Sequence, residues 1–374
     1  MNWLKLLGYR RMALILWGIA LLVITGLVVA HPEKRTLIPL YREAALHWRD
    51  AQNLYSGPGG MNYLPCFAPL FLPVALLPTP VADLTWRYLM AALLISGLWR
   101  LSRAIGEDDA ERRFLLVTLL AMPLSLGVFR NGQANGMIAA LTLHAAAALA
   151  WRQWTLATLW MILALAVKPL GVVFLGLAAI LYPTVRWRVA VGIVLLAVFP
   201  FLFASPSYVV DQHLAFWENI RACSAVSEHR FADFNGIARS LGVEVPVQIA
   251  TVLRTFAGMV TLAVCWWAGR RLEECWRVLW LYVWATGYLM LCNPMNETNS
   301  YVIVVPAMAF CAERVLSQAS TRAAGWGLVG TVLALSLFSP LRSNFKLFWY
   351  PVMTIIFLAI LTLIVFRRME NEKS

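Results

Sequence analysis

"YRRMALILWGIALLVITGLVVA", residues 9–30, is the stretch that decides the fold class of this chain. No charged residue falls between 12 and 30, and a helix needs about 20 mostly apolar residues to cross the hydrocarbon core of a bilayer. The basic residues before the run, Lys5, Arg10 and Arg11, favour a cytoplasmic N-terminus. The run is long for a signal peptide, and no small-residue cleavage site follows it. We therefore expect a retained first transmembrane helix.

The composition extends this interpretation to the whole chain. Of its 374 residues, 61% are hydrophobic and 13% are charged, whereas soluble domains are nearer 25% charged. The apolar blocks lack the alternating pattern of outer-membrane barrel strands. The net charge of +12 suits cytoplasmic loops that meet anionic headgroups better than it suits nucleic acid. We predict an all-α, polytopic transmembrane helical bundle in which residues 1–374 form a single integral-membrane domain.

Thirteen apolar blocks set the expected number of membrane crossings. The most basic connections, both termini included, favour the cytoplasmic side, so the number of crossings must be even. The short, Pro-rich block at 64–78 is our candidate for a re-entrant or broken helix, which leaves about 12 crossings. The blocks lie at 11–30, 64–78, 84–101, 114–129, 135–151, 154–167, 169–183, 189–204, 247–268, 277–292, 300–312, 325–340 and 347–366.

Four polar segments then fall on the predicted outer side. They are the first outer loop (31–63), the turn at 130–135, the long late outer loop (205–246) and the segment 293–299. The late loop, at about 40 residues, is too long for a passive connector. Candidate site residues are therefore sought in these four segments.

The first outer loop carries charged residues at helical spacing, which fits an amphipathic helix lying on the outer leaflet. That interpretation explains the charges without a site. It does not explain why Glu43 and His47 stand four residues apart on one helix face, where their side chains can meet. The turn "SGPGG" at 56–60 would bend the chain back towards the membrane.

Further candidates lie at helix breaks. Arg130 and Gln133 offer a cation and an amide suited to a phosphate or a sugar, while Asn135 also fits as a helix cap. Lys168 lies between two apolar blocks, where it either marks a site or snorkels to the interface. Glu297 lies in an Asn-rich patch at a helix entry, which suits sugar hydroxyls, although capping by the neighbouring Asn and Thr side chains is the simpler interpretation.

A series of short motifs runs along the chain in a recognisable order. They are Tyr41-x-x-Ala44-Ala45, Trp48, Leu54-Tyr55, "YLP" at 63–65, Gly132-Gln133-x-Asn135, Lys168-Pro169, Asn235-Gly236 and Asn293-Pro294. Taken together, they resemble glycosyltransferase family 87, integral-membrane sugar transferases of the GT-C superfamily that include bacterial polyprenyl-phosphate-mannose-dependent enzymes. The resemblance covers most of the chain and rests on the order of the motifs, because no single motif is specific.

The resemblance implies an inverting transferase of the bacterial inner membrane, active at its periplasmic face. A mannose-like hexose or another sugar would arrive on a polyprenyl phosphate and pass to a hydroxyl of a lipid or glycan acceptor. A carboxylate of the first outer loop would act as base, because the attacking hydroxyl must lose its proton. Cations would neutralise charge on the leaving phosphate. We expect no cofactor, and the outer carboxylates are too scattered to assign a metal.

The chain departs from the family pattern where the base should stand. Family members usually carry an Asp shortly before the first-loop Tyr, but no carboxylate occurs from Thr36 to Leu40. We favour Glu43 as the replacement, since His47 lies one helical turn away, although a solvated helix face would look the same. The carboxylates considered for this role are Glu33, Glu43, Asp50 and Glu297.

The predicted site combines Glu43 as the catalytic residue with cations for the phosphate and amides for the sugar or acceptor. Because the expected Asp is missing, a transporter or non-catalytic partner that handles lipid-linked glycans is the alternative. A proton-coupled transporter would need more ionisable residues deep within helices than His144 and Lys168. The predicted substrate-binding residues are Tyr41, Arg42, His47, Arg130, Gln133, Asn135, Lys168, Asn235 and Glu297.

Overall fold

The computed structural model describes residues 8–32, 34–56, 61–225, 231–337 and 343–371, and all of its regular structure is helical. Glu33 and the turn at 57–60 lie outside the described residues. Short 3-10 helices are Pro183–Val185, Phe199–Leu202, Thr298–Ile303 and Ala319–Thr321. The α-helices, α1 to α16 in chain order, are Tyr9–Ala30, Ile38–Arg49, Phe67–Ala75, Thr79–Ala104, Ala110–Asn131, Asn135–Ala150, Trp154–Val167, Gly171–Leu181, Arg186–Val198, Pro206–Ala225, Phe234–Ser240, Val247–Gly269, Glu274–Cys292, Val305–Leu316, Arg322–Leu337 and Ser343–Asn371.

Several of these helices are long and apolar enough to cross a membrane, which confirms the prediction of a polytopic helical protein. By contrast, α3 has 9 residues and is about 13 Å long, so it cannot cross a core of about 30 Å. This length agrees with the expectation that the Pro-rich block at 64–78 does not cross. Within the described residues, six candidate spans occur: Tyr9–Ala30, Thr79–Ala104, Ala110–Asn131, Pro183–Leu202, Val247–Gly269 and Phe345–Glu370.

Helix α6 forms the centre of the bundle because its surface is apolar on every side. All of its residues from Asn135 to Leu149 are buried, as expected for a helix that is hydrophobic all round. Small residues let its neighbours approach closely: a Cβ at Gly97 of α4 would lie 2.9 Å from the Cβ of Leu143. The close contact between α4 and α6 fixes the frame on which the polar residues are arranged.

The bundle has two ends that are conveniently named after two glutamates. Glu297 stands just before the 3-10 helix 298–303 and Glu313 lies near the end of α14, so about 25 Å of helix separates them. At the 297 end, Gln133 binds Glu297, and at the 313 end Arg113 pairs with Glu313. Since Gln133 follows the end of α5 and Arg113 lies near its start, α5 runs from the 313 end to the 297 end.

Three helix breaks gather at the 297 end. Helix α5 ends at Gly132, whose left-handed backbone (φ 60°) is the conformation that terminates helices and that glycine adopts without steric cost. Helix α7 ends at Lys168, which is extended because Pro169 follows it. Glu297 is also extended, between α13 and the 3-10 helix. These breaks let polar side chains and backbone groups meet within the protein instead of facing lipid.

Candidate functional site

A cavity of about 810 Å³ lies at the 297 end between α1 and α5. One wall is apolar and comes from α1, with Ala20, Val23, Ile24 and Leu27. The remaining wall is mostly polar and charged. Its polar members include Arg35, Thr36, Arg130, Gln133, Glu297 and Lys346.

Glu297 is the carboxylate of this cavity. Its side chain is exposed, and its Oε2 accepts a hydrogen bond of 2.9 Å from Nε2 of Gln133. Gln133 is 7% exposed, and its Oε1 has no partner among the residues that the structure describes. The amide thus holds the carboxylate through its nitrogen, and its oxygen is a buried acceptor that no described residue satisfies.

A second layer of polar groups supports this pair. Asn135 donates from Nδ2 to Oγ of Ser300 at 3.1 Å and accepts a 3.1 Å hydrogen bond from Nζ of Lys168. The ammonium also lies 5.7 Å from the ring centre of Tyr63. Burial lowers the pKa of Lys168, and the negative charge of nearby Glu297 opposes that shift. Lys168 therefore lies behind the carboxylate and close enough for their charges to interact.

Tyr41 anchors the first outer loop to this layer. Its hydroxyl lies 2.9 Å from that of Tyr63 and accepts a 3.1 Å hydrogen bond from the backbone N–H of Ala134. Its ring packs edge-on against Phe71 and Trp86. Burial raises the pKa of Tyr41 to about 12, so the hydroxyl stays protonated.

The other predicted residues of α2 lie apart from this cluster. Glu43 is exposed, and its Oε1 lies 3.9 Å from Nε2 of His47, as their spacing predicted. Two residues correspond to about 200° of helix rotation, so Glu43 and Tyr41 occupy opposite faces of α2. Arg42 donates to the carbonyl of Ala75 at 3.0 Å and to the hydroxyl of Thr79, so it joins α2 to the α3–α4 connection. Their catalytic and binding roles stay predictions.

Asn235 lies beside a cluster of hydrogen bonds that holds the segment before Glu297. Its Oδ1 is buried and has no partner within the described ranges. Just before it, the N–H of Ala232 donates to the carbonyl of Asn296 at 2.7 Å, and the hydroxyl of Tyr301 donates to the carbonyl of Ala232 at 2.8 Å. The late loop therefore fixes the backbone from which Glu297 projects.

Several residues that line the cavity were not predicted from the sequence. Arg35, Thr36 and Lys346 line it, although none stands in a recognisable motif. Behind Thr36 lies the buried ion pair of Asp83 with Arg87. A signal for that pair existed, because opposite charges four residues apart beside an apolar block are costly in a membrane and mark a site by default.

Comparison with known families decides the class of this protein. The sequence model of glycosyltransferase family 87 matches residues 62–294, more than half of the chain. The chain belongs to glycosyltransferase family 87. No curated protein matches the sequence. As a member of the family, the protein is a glycosyltransferase, which requires a sugar donor and an acceptor.

The family match does not reach every part of the site. It includes Gln133, Asn135, Lys168 and Asn235, but it begins after the first-loop helix and ends three residues before Glu297. The assignment of a base must therefore rest on geometry in this chain. Among the described residues, Glu297 is a carboxylate that lines the cavity, and it accepts a hydrogen bond from Gln133.

Proposed function

We propose that this member of family 87 is an inverting hexosyltransferase that takes its sugar from a polyprenyl phosphate and passes it to a hydroxyl of a lipid or glycan acceptor. One observation carries the proposal: a single cavity joins an apolar wall of α1 to a carboxylate and three cations. A lipid-linked, negatively charged sugar donor needs all of these elements. A soluble nucleotide sugar would have no use for the apolar wall.

The walls suggest how the donor lies. Val23 and Leu27 of α1 are exposed apolar residues, which suit the isoprenoid chain. Arg35, Arg130 and Lys346 supply positive charge for the phosphate, and hydrogen bonds from charged donors to phosphate are stronger than neutral ones. The sugar would then lie at the polar end of the cavity, next to Glu297.

In the reaction, the acceptor hydroxyl attacks the anomeric carbon from the face opposite the phosphate. Its proton passes to the carboxylate of Glu297 as the new glycosidic bond forms. The bond between the anomeric carbon and the phosphate oxygen breaks, and the phosphate leaves with the electron pair. Gln133 orients the base, and the cations stabilise the charge on the leaving group. This assignment competes with the sequence-based prediction of Glu43.

The arrangement in the membrane belongs to the same proposal. Helices α6, α7, α8, α13 and α15 and the 298–303/α14 segment would run between the two ends beside the six long spans of the described residues, which gives about 12 passages, as in a GT-C-like bundle. Of these, α7 and α8 have 14 and 11 residues, so each would cross only part of the hydrocarbon core. Arginines at the 313 end, such as Arg103, Arg113 and Arg314, favour a cytoplasmic position for that end. The 297 end would then face the extracytoplasmic side of the inner membrane.

The test measures sugar transfer by the purified protein in proteoliposomes supplied with polyprenyl-phosphate sugars. We expect Glu297→Gln to lower the rate by roughly 100-fold to 10,000-fold, the range typical of a lost general base. Glu43→Gln, the matched exposed carboxylate, should retain activity near that of the wild type. The opposite result would restore Glu43 as the base. Binding of the donor without turnover by the wild type would favour the transport or non-catalytic alternative.

A further inference from the structure

The start of α4 contains a buried ion pair that belongs to no motif described above. Asp83 and Arg87 are 6% and 2% exposed, and Oδ1 of Asp83 lies 2.5 Å from Nη1 of Arg87. Charges so deeply buried are costly unless they are paired and hydrogen-bonded. Their further contacts therefore show what the pair holds.

These contacts reach two segments of the polar wall of the cavity. Nη2 of Arg87 donates to Oγ1 of Thr36 at 3.2 Å and to the carbonyl of Arg130 at 2.8 Å. Thr36 in turn donates to Oδ1 of Asp83 at 3.1 Å. Thr36 comes from the first outer loop and Arg130 from the end of α5, and both line the cavity. One guanidinium thus joins two neighbouring segments that both line the cavity.

We propose that Asp83 and Arg87 are positioning residues that fix the distance between Arg35 and Arg130, and thereby shape the phosphate-binding part of the cavity. The inference rests on the proposed function, because it assumes a phosphate between these cations. Arg35 directly precedes the anchored Thr36. Arg35 also has a left-handed backbone (φ 58°), a conformation that non-glycine residues adopt only where their surroundings impose it.

The hydrogen bonds of Thr36 indicate that it positions and does not bind the ligand itself. Its hydroxyl donates to Asp83, and it accepts from Arg87 and, at 3.3 Å, from the N–H of Ile38. A hydroxyl has one donor and two acceptor sites, so its capacity is used. The threonine is therefore a joint between the ion pair and the first outer loop.

Neighbouring hydrogen bonds strengthen the same junction. The end of α5 leaves backbone carbonyls without helical partners. Asn131 accepts from the N–H of Leu37 at 3.0 Å, and Gly132 accepts from Nε1 of Trp86 at 3.0 Å. The first outer loop and α4 thus satisfy the carbonyls beside Arg130, and the guanidinium of Arg87 completes the set.

The experiment measures equilibrium binding of a long-chain polyprenyl phosphate to the full-length protein in detergent, with the corresponding polyprenol as the reference. Wild-type protein should bind the phosphate at least tenfold more tightly than the alcohol. Thr36→Val and Arg87→Met should lose about tenfold of that preference, since misplaced contacts weaken recognition steeply. Thr36→Ser keeps the hydroxyl and should retain it. Glu313→Gln, which breaks a buried ion pair at the far end, should lower thermal stability without changing the preference.

Activity adds a readout that a purely structural role would not move. Thr36→Val should raise the donor KM by about tenfold while kcat and the acceptor KM stay within about twofold. If the wild type prefers the phosphate and Thr36→Val keeps that preference and its donor KM, the positioning role is wrong while the proposed function stands. If the wild type shows no preference for the phosphate, the proposed function fails and the inference fails with it.

Discussion

Two buried ion pairs at opposite ends of the bundle show how similar interactions can serve different purposes. At the 313 end, Nε of Arg113 lies 2.9 Å from Oε2 of Glu313, and its Nη1 donates to the carbonyls of Ser102 and Gly106. The pair therefore joins α4, α5 and α14. At the 297 end, the pair of Asp83 with Arg87 lies within one helix and reaches residues that line the cavity.

The surroundings of the two ion pairs also differ between the two ends of the bundle. At the 313 end, further arginines lie over tryptophan rings, with Arg10 4.7 Å from the ring centre of Trp99 and Arg100 5.3 Å from that of Trp151. Such contacts stabilise the ends of helices. At the 297 end, the buried Oε1 of Gln133 has no partner in the described part of the chain and belongs to a residue that lines the cavity. Buried polar atoms without a described partner also occur at the 313 end, such as Nε of Arg314, so the cavity and not the presence of such atoms distinguishes the 297 end.

The largest expected effect concerns the ion pair of Arg113 with Glu313, to which we assign a purely structural role. Glu313→Gln leaves the charge of Arg113 buried and unpaired, which should lower the free energy of unfolding by about 3–5 kcal/mol. Unfolding of the purified protein in detergent measures the loss. Glu107→Gln is the control, because its pair with Arg103 is exposed and should contribute little. Equal stability of the two variants would contradict the structural role.

The next prediction concerns a buried carboxyl beside the 297 end. Burial raises the pKa of Asp233 from 3.8 to about 6, against the opposing effects of the Gly236 N–H and of Arg254. Between about pH 4 and 6 the folded protein binds this proton more readily than the unfolded chain, so stability falls as pH rises through that window and is constant above it. The full effect is at most about 3 kcal/mol.

Unfolding free energies of the wild type and of Asp233→Asn, measured from pH 4 to 8, isolate this contribution. The free energy of unfolding of the wild type, relative to that of Asp233→Asn, should fall as the pH rises from about 4 to about 6. A difference that does not depend on pH would show that folding leaves the pKa of Asp233 unchanged, and a change in the opposite direction would show that folding lowers it.

The smallest expected effect compares a cation at each end. Lys168→Met removes the charge that supports Asn135 and lies near Glu297, and we expect about a tenfold loss of kcat/KM, or about 1.4 kcal/mol. Arg152→Met is the control, because Arg152 pairs with Glu274 at the 313 end and is well exposed. Transfer assays measure both variants. A comparable loss in the control would remove the distinction between the two ends.

Local chemistry made part of the site predictable. Four of the predicted residues stand at helix breaks: Gln133, Asn135, Lys168 and Glu297. These breaks can be recognised in the sequence from Gly132, Pro169 and the Asn-rich patch. The structure brings these four side chains to one place, through the contacts of Gln133 with Glu297 and of Lys168 with Asn135. Breaks in apolar helices are readable because glycine and proline act on their own backbone.

Other members of the site could not be read in this way. Thr36 and Lys346 acquire a role only by facing the same cavity, and the pair of Asp83 with Arg87 acquires one by contact with Thr36. The reverse holds for Arg42, whose charge suggested a phosphate contact but whose hydrogen bonds go to the α3–α4 connection. Sequence spacing orders residues along one helix, and it does not reveal which surface of that helix is covered.

The amino-acid sequence determined the membrane class, the helical breaks and the polar segments, because hydrophobicity and backbone preference act over a few neighbouring residues. Packing decided which carboxylate meets the cavity. Gln133 and Glu297 are 164 residues apart, and Asp83 and Thr36 are 47 apart, yet each pair is joined by a hydrogen bond. Contacts over such separations depend on how helices pack, and that information is spread over the whole buried core.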